Sequence, residues 1–75
     1  MVRRLQVFER QAKKRLMVLH AAPSLEALML NPDNRFHALK GDRKGHYAMS
    51  INKQWRVCFG WRAGNAYNVE IIDYH

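Results

Sequence analysis

Apolar residues recur at three- and four-residue steps over the first third of the chain. Leu5, Phe8, Ala12, Leu16 and Leu19 share one face of a helix expected over residues 3–20, and Arg4, Arg10, Lys13 and Lys14 fall largely off it. Pro23 disfavours helical geometry in the residue before it, so the helix is expected to end near Ala21 and Ala22. Ser24 can then cap a second, short helix, with Glu26 in its first turn and Leu25 and Leu28 facing inward. Asn31-Pro32-Asp33-Asn34 is dense in turn formers and closes the helical half.

Beyond Arg35 the period drops to two. Tyr47, Met49 and Ile51 alternate with Ala48 and Ser50, as in a half-buried strand, and Asn52-Lys53 supplies a turn. Trp55, Val57, Phe59 and Trp61 alternate with Arg56, Cys58, Gly60 and Arg62, the clearest two-residue period in the chain. Gly64-Asn65 offers the next hairpin turn, because both residues tolerate positive φ, and residues 66–73 read as a last strand. The expected fold class is α+β. Two N-terminal helices pack on an antiparallel sheet of at least three strands, in one domain over residues 1–75. If the Trp55 stripe faces the helices, Arg56 points to the opposite, open face. Gly60 on that face leaves room for a ligand or another backbone to approach.

Composition changes the picture in two ways. At 75 residues the core is thin, so a partner that covers apolar surface matters more than in a large domain. Thirteen Lys and Arg against six Asp and Glu give a net charge of +7, which favours a polyanionic partner through counterion release. The charge is also concentrated. Residues 35–62 hold seven Lys or Arg and only Asp42 as acid, with Tyr47, Trp55, Phe59 and Trp61 interspersed. Basic residues mixed with aromatics suit an RNA-binding surface, although aromatics in a small domain also serve as core. The single cysteine, Cys58, has no internal disulfide partner, and no apolar run reaches membrane-spanning length. A cytoplasmic location without membrane contact is the expectation.

Cleaving RNA internally requires a base for the 2′-hydroxyl proton, an acid for the leaving 5′-oxygen and fixed positive charge at the phosphate. His37 lies in RFHALKGDRKG beside Arg35, Lys40 and Arg43, and Asp73, Tyr74 and His75 end the chain. Histidine titrates near neutrality and can serve as either proton partner. Each residue also has a plainer reading, His37 as a loop histidine and His75 as a frayed terminus. The spacing of the four histidines fits no common zinc motif, and Lys40-Gly41-Asp42-Arg43 reads as a turn rather than a phosphate loop. The residues alone support a basic RNA-binding domain with candidate catalytic groups.

The combination of HALKGD, NKQWR and a terminal DYH, within residues 31–75, resembles the HigB toxins of the RelE/ParE superfamily, the toxin halves of bacterial type II toxin–antitoxin systems. The resemblance implies a RelE-like fold and a ribosome-dependent endoribonuclease that cuts mRNA without a metal or other cofactor. It implies catalytic roles at His37, Asp73, Tyr74 and His75. Lys40 and Arg56 match basic positions that contact phosphate, and Arg35 and Arg43 are candidates for the same role from their place in the basic segment. The implied partners are the ribosome, mRNA and a HigA-like helix-turn-helix antitoxin, with operator DNA reached only through that antitoxin. Members of this family begin with a strand before the first helix, whereas Met1 here enters almost directly into helical sequence. The alternative function is therefore a toxin-fold protein with impaired cleavage that binds its antitoxin and acts in operon autoregulation. A gyrase inhibitor, found in the wider superfamily, would leave His37 and the terminal triad without use.

Overall fold

The computed structural model describes residues 2–73, with side chains described from residue 8 onward. Helix α1 spans Val2–Ala21 and helix α2 spans Leu25–Leu30. The strands follow: β1 His37–Ala38, β2 His46–Ser50, β3 Trp55–Arg62 and β4 Asn65–Asp73. They form one antiparallel sheet in the order β1-β2-β3-β4. This is the expected α+β arrangement with one strand beyond the three that periodicity shows. A two-residue strand carries no readable period, and β1 exists because His37 and Ala38 pair with Ala48 and Tyr47. Among the described residues, no strand precedes α1.

The helices form where their signals stand. Ser24 caps α2, its hydroxyl accepting the Ala27 N–H at 3.2 Å. The Asn31–Asn34 segment becomes a single 3₁₀ turn over Pro32–Asn34, capped by the Asn31 side chain on the Asp33 N–H at 3.0 Å. Arg35 leaves that turn in the left-handed region (φ 47°), reversing the chain toward β1.

One face of the sheet meets the helices. Met49, Ile51, Val57 and Phe59 are buried there with Ala12, Leu19 and Leu28. Burying an aliphatic or aromatic side chain of this size contributes roughly 1.5–3 kcal/mol, so these few residues dominate a thin core. Partly buried aromatics close its edges. Phe8 packs on Trp55 with ring centroids 5.1 Å apart, and Phe36 stacks on Tyr47 at 5.2 Å. The four aromatics read above as candidate RNA contacts, Tyr47, Trp55, Phe59 and Trp61, all belong to this core or pack against it. The same alternation that defines β3 assigns its ring side chains to the helix side.

Asn34 is the polar residue buried with the core, at 1% exposure. Its Oδ1 accepts from Arg15 Nη1 at 2.7 Å, and its Nδ2 donates to the Leu28 carbonyl at 3.0 Å. It thus ties α1 to the end of α2 immediately before the segment that carries His37. Asn52 plays a similar part in the β2–β3 turn. Its Oδ1 accepts the N–H groups of Gln54 (2.8 Å) and Trp55 (2.9 Å), while its Nδ2 reaches Gln11 of α1 at 2.9 Å.

Two details of the last hairpin differ from expectation. The positive-φ pair is Ala63 (φ 53°) and Gly64 (φ 80°), not Gly64 and Asn65. Arg62 pairs with Asn65, so the two residues between them form the turn, and with both at positive φ it is the type I′ geometry that matches right-twisted strands. Asn65 flanks the turn and donates Nδ2 to the Ala63 carbonyl at 3.2 Å. Further along, Cys58 pairs with Glu70 whereas Gly60 pairs with Tyr67, so β4 contains one extra residue. Asn68 (φ 49°) lies within this bulge. Tyr67 and Glu70, three apart in sequence, therefore share one face.

Candidate active site

The face away from the helices is set by β3. Arg56, Cys58 and Gly60 occupy it, and register adds Ser50 and Ile72 beside Arg56, Ala48 and Glu70 beside Cys58, and His46 and Tyr67 beside Gly60. His37 joins the row of Ala48, Cys58 and Glu70 through β1. Arg56 is thus on the face that the two-residue period assigns to it.

Sequence-distant His37 and Arg56 meet there. The Arg56 Nη1 lies 3.3 Å from His37 Nδ1. A guanidinium has only donors, so in this contact Nδ1 is the acceptor. His37 is exposed, and Arg56 is half-buried along its strand. The pair therefore sets an imidazole beside a permanent positive charge at the sheet surface. That is the chemistry needed at a phosphodiester.

The remaining candidates are distributed more widely. Lys40 is exposed and leads into the 3₁₀ turn Gly41–Arg43, between β1 and β2. Arg35 is exposed at the end of the Pro32–Asn34 turn. Arg43 reaches across the sheet to Glu70, Nη2 to Oε1 at 3.0 Å, so its charge is already matched. Both side chains remain substantially exposed, and a bridge of this kind contributes little to stability. Asp73 ends β4 opposite Trp55, one residue beyond Ile72, the partner of Arg56. Its register places it on the Trp55 side, where Gln54 Nε2 donates to its Oδ2 at 3.3 Å. Tyr74 and His75 lie outside the described residues.

The face is less bare than its alternation suggests. Ala48 and Cys58 are buried although they lie on it. Burial pushes the Cys58 thiol above its ordinary value; Arg43 and Arg56 oppose this rise and Glu70 adds to it. Cys58 therefore stays protonated and is a poor nucleophile. The space over Gly60 is not open either. A Cβ there would overlap the Tyr67 ring, so the glycine accommodates a neighbour from its own sheet. Arg62 lies over that ring, 4.5 Å from its centroid, and His46 meets its edge with centroids 5.6 Å apart. Arg62 is on this face as the β3 alternation implies, and Tyr67 and Glu70 are the members that periodicity missed. The only available signal was an asparagine within a strand, a residue that tolerates the left-handed conformation of a bulge.

A sheet with helices on one face and a His–Arg pair on its basic opposite face suits a small protein that handles phosphodiesters. The chain belongs to the HigB-like toxin family, described as the RelE-like toxins of type II toxin–antitoxin systems, whose model matches residues 3–75. It is 40% identical over 62 residues to Toxin HigB-1 of Vibrio cholerae, covering 83% of this chain and 64% of the relative. It is 39% identical over 41 residues to Endoribonuclease HigB of Proteus vulgaris, covering 55% of this chain and 45% of the relative. The matched segments thus span less than two thirds of either curated relative's length. Among the described residues, no helix is long and apolar enough to cross a membrane.

Proposed function

We propose that this chain is a toxin that inhibits translation by cutting mRNA on the ribosome, as a cytoplasmic endoribonuclease that needs no metal. The observation that carries this reading is the 3.3 Å contact between His37 Nδ1 and Arg56 Nη1 on the open sheet face. The name of the Proteus vulgaris relative, an endoribonuclease, supports the same chemistry.

In the proposed reaction the RNA 2′-oxygen attacks the adjacent phosphorus, and the bond to the 5′-oxygen breaks. One proton leaves the 2′-hydroxyl and another reaches the departing oxygen. His37 and the terminal group Asp73, Tyr74 and His75 share these transfers. Arg56 and Lys40 stabilise the charge on the phosphate, with Arg35 and Arg43 supplying more distant attraction. A HigA-like helix-turn-helix antitoxin holds the toxin in check, and operator DNA is reached only through that antitoxin.

The test is in vitro translation of a defined mRNA with the purified full chain, either as isolated or first stripped of bound metal with EDTA and dialysed free of the chelator. Cleavage that persists after the chain is stripped, needs ribosomes, and falls on the order of 100-fold or more in Arg56→Gln supports the proposal. His37→Ala and His75→Ala, expressed in a bacterium, should relieve growth arrest. Equal arrest by wild type and His75→Ala would remove the terminal histidine from the mechanism. Tight antitoxin binding without any mRNA cleavage would instead support a role in operon autoregulation.

A further inference from the structure

We propose that Tyr67 and Arg62 form a base-stacking subsite for single-stranded RNA on the sheet face that carries His37 and Arg56. The inference rests on the RNA-cleaving reading and adds to it a second place where the substrate is held.

Tyr67 is on this face because of the β4 bulge. With unbroken alternation from Glu70, Tyr67 would point toward the helices; the extra residue returns it to the side of Gly60 and Arg56. Covering Gly60 accounts for one side of the ring. His46 meets the ring at its edge, and the Arg62 guanidinium carbon lies over it, 4.5 Å from the ring centroid. Both residues lie at the sheet surface, Arg62 exposed and Tyr67 half-buried. With the ring packed on Gly60 and covered by Arg62, the surface offered is the outer plane of the guanidinium, which the ring holds flat and on which a nucleobase can stack. Since Tyr47, Trp55, Phe59 and Trp61 are committed to the core, Tyr67 is the aromatic that the β2–β4 region places on the RNA side.

Charge and spacing agree with this. Gly60 lies four residues beyond Arg56 on β3, about 13 Å along the strand. That separation exceeds one side chain's reach, so a base at Tyr67 would belong to a nucleotide flanking the phosphate at Arg56. Arg43 lies between them, and Glu70, the carboxylate that register puts on this face, is already bridged to it. The strip from Arg56 to Arg62 is therefore electropositive with an aromatic end, the combination that binds single strands.

The experiment measures binding of the full chain to a short, fully 2′-O-methylated single-stranded RNA, which cannot be cleaved. It compares that oligomer with one of equal charge carrying abasic sites. Loss of the bases should weaken wild-type binding roughly 5- to 150-fold, the range for one stacked base. Tyr67→Leu should bring the base-bearing oligomer down to the abasic value, and Tyr67→Phe should restore the difference. Thermal melts confirm that both variants fold. Equal affinity for the two oligomers in wild type, or full base dependence in Tyr67→Leu, would overturn the subsite. Failure of the cleavage reading would look different: base-dependent binding would persist while translated mRNA stayed intact.

Discussion

Replacing Asn34 with alanine should destabilise the protein by about 2–4 kcal/mol. The side chain is buried and makes two bonds, accepting from the Arg15 guanidinium at 2.7 Å and donating to the Leu28 carbonyl at 3.0 Å. A bond to a charged group contributes about 1.5–3 kcal/mol and a neutral one about 1. Leu28 lies in the last turn of α2, where carbonyls have no partner within the helix, so its oxygen would be left unsatisfied next to the core. A domain of this length has total stability of roughly 4–11 kcal/mol, so the loss is a large fraction of it. The melting midpoint should fall by roughly 10–25 °C. Urea denaturation followed by circular dichroism measures the change, with an unaltered slope showing that the unfolded state is the same. Asn34→Asp separates the two bonds. It keeps an acceptor for Arg15 and places a carboxylate oxygen against the Leu28 carbonyl, so it too should destabilise, by about 1 kcal/mol or more. Because Asn34 anchors the chain three residues before His37, activity should fall in both variants at temperatures well below unfolding. An unfolding free energy within about 0.5 kcal/mol of wild type for Asn34→Ala would refute the assignment of Asn34 as the polar anchor of the helical half.

Ala63→Asn gives the β3–β4 turn the Asn-Gly pair suited to two successive positive φ angles, and should stabilise by about 0.5–1 kcal/mol in the same urea assay. Asn68→Val forces a β-branched residue into the left-handed region and should cost at least about 1–2 kcal/mol. It should also remove the ring-current shifts that Tyr67 imposes on Gly60, readable by NMR, because the bulge that aims the ring is lost. Cys58 should resist alkylation by iodoacetamide in the native state at pH 8 and react fully once unfolded, since burial holds its thiol protonated. The same upward displacement means that stability declines as pH rises past the ordinary thiol value, where the unfolded chain ionises first. A native thiol that alkylates as fast as a free one would contradict this burial.

Periodicity alone specified much of the molecule. The apolar steps through Ala12 and Leu19 gave α1, Ser24 and Pro23 fixed its junction with α2, and the alternation from Trp55 to Trp61 placed Arg56 on the outer face. These features are local: a side chain's direction follows from backbone period, and a cap from one residue's hydrogen-bonding reach. The motif around His37 and the terminal DYH carried the family resemblance in the same way, residue by residue. Tertiary structure decided what depends on register between strands. It created β1, which has no period of its own, and so brought His37 within 3.3 Å of Arg56. It turned the aromatics among the basic residues inward and, through one extra residue near Asn68, turned Tyr67 outward. It also filled the space over Gly60 and bridged Arg43 to Glu70. A single inserted residue reverses every later side chain in a strand, and nothing in a two-residue period marks where the insertion falls. The sequence by itself thus determined which groups were available for chemistry, and only the paired sheet decided which of them share a face.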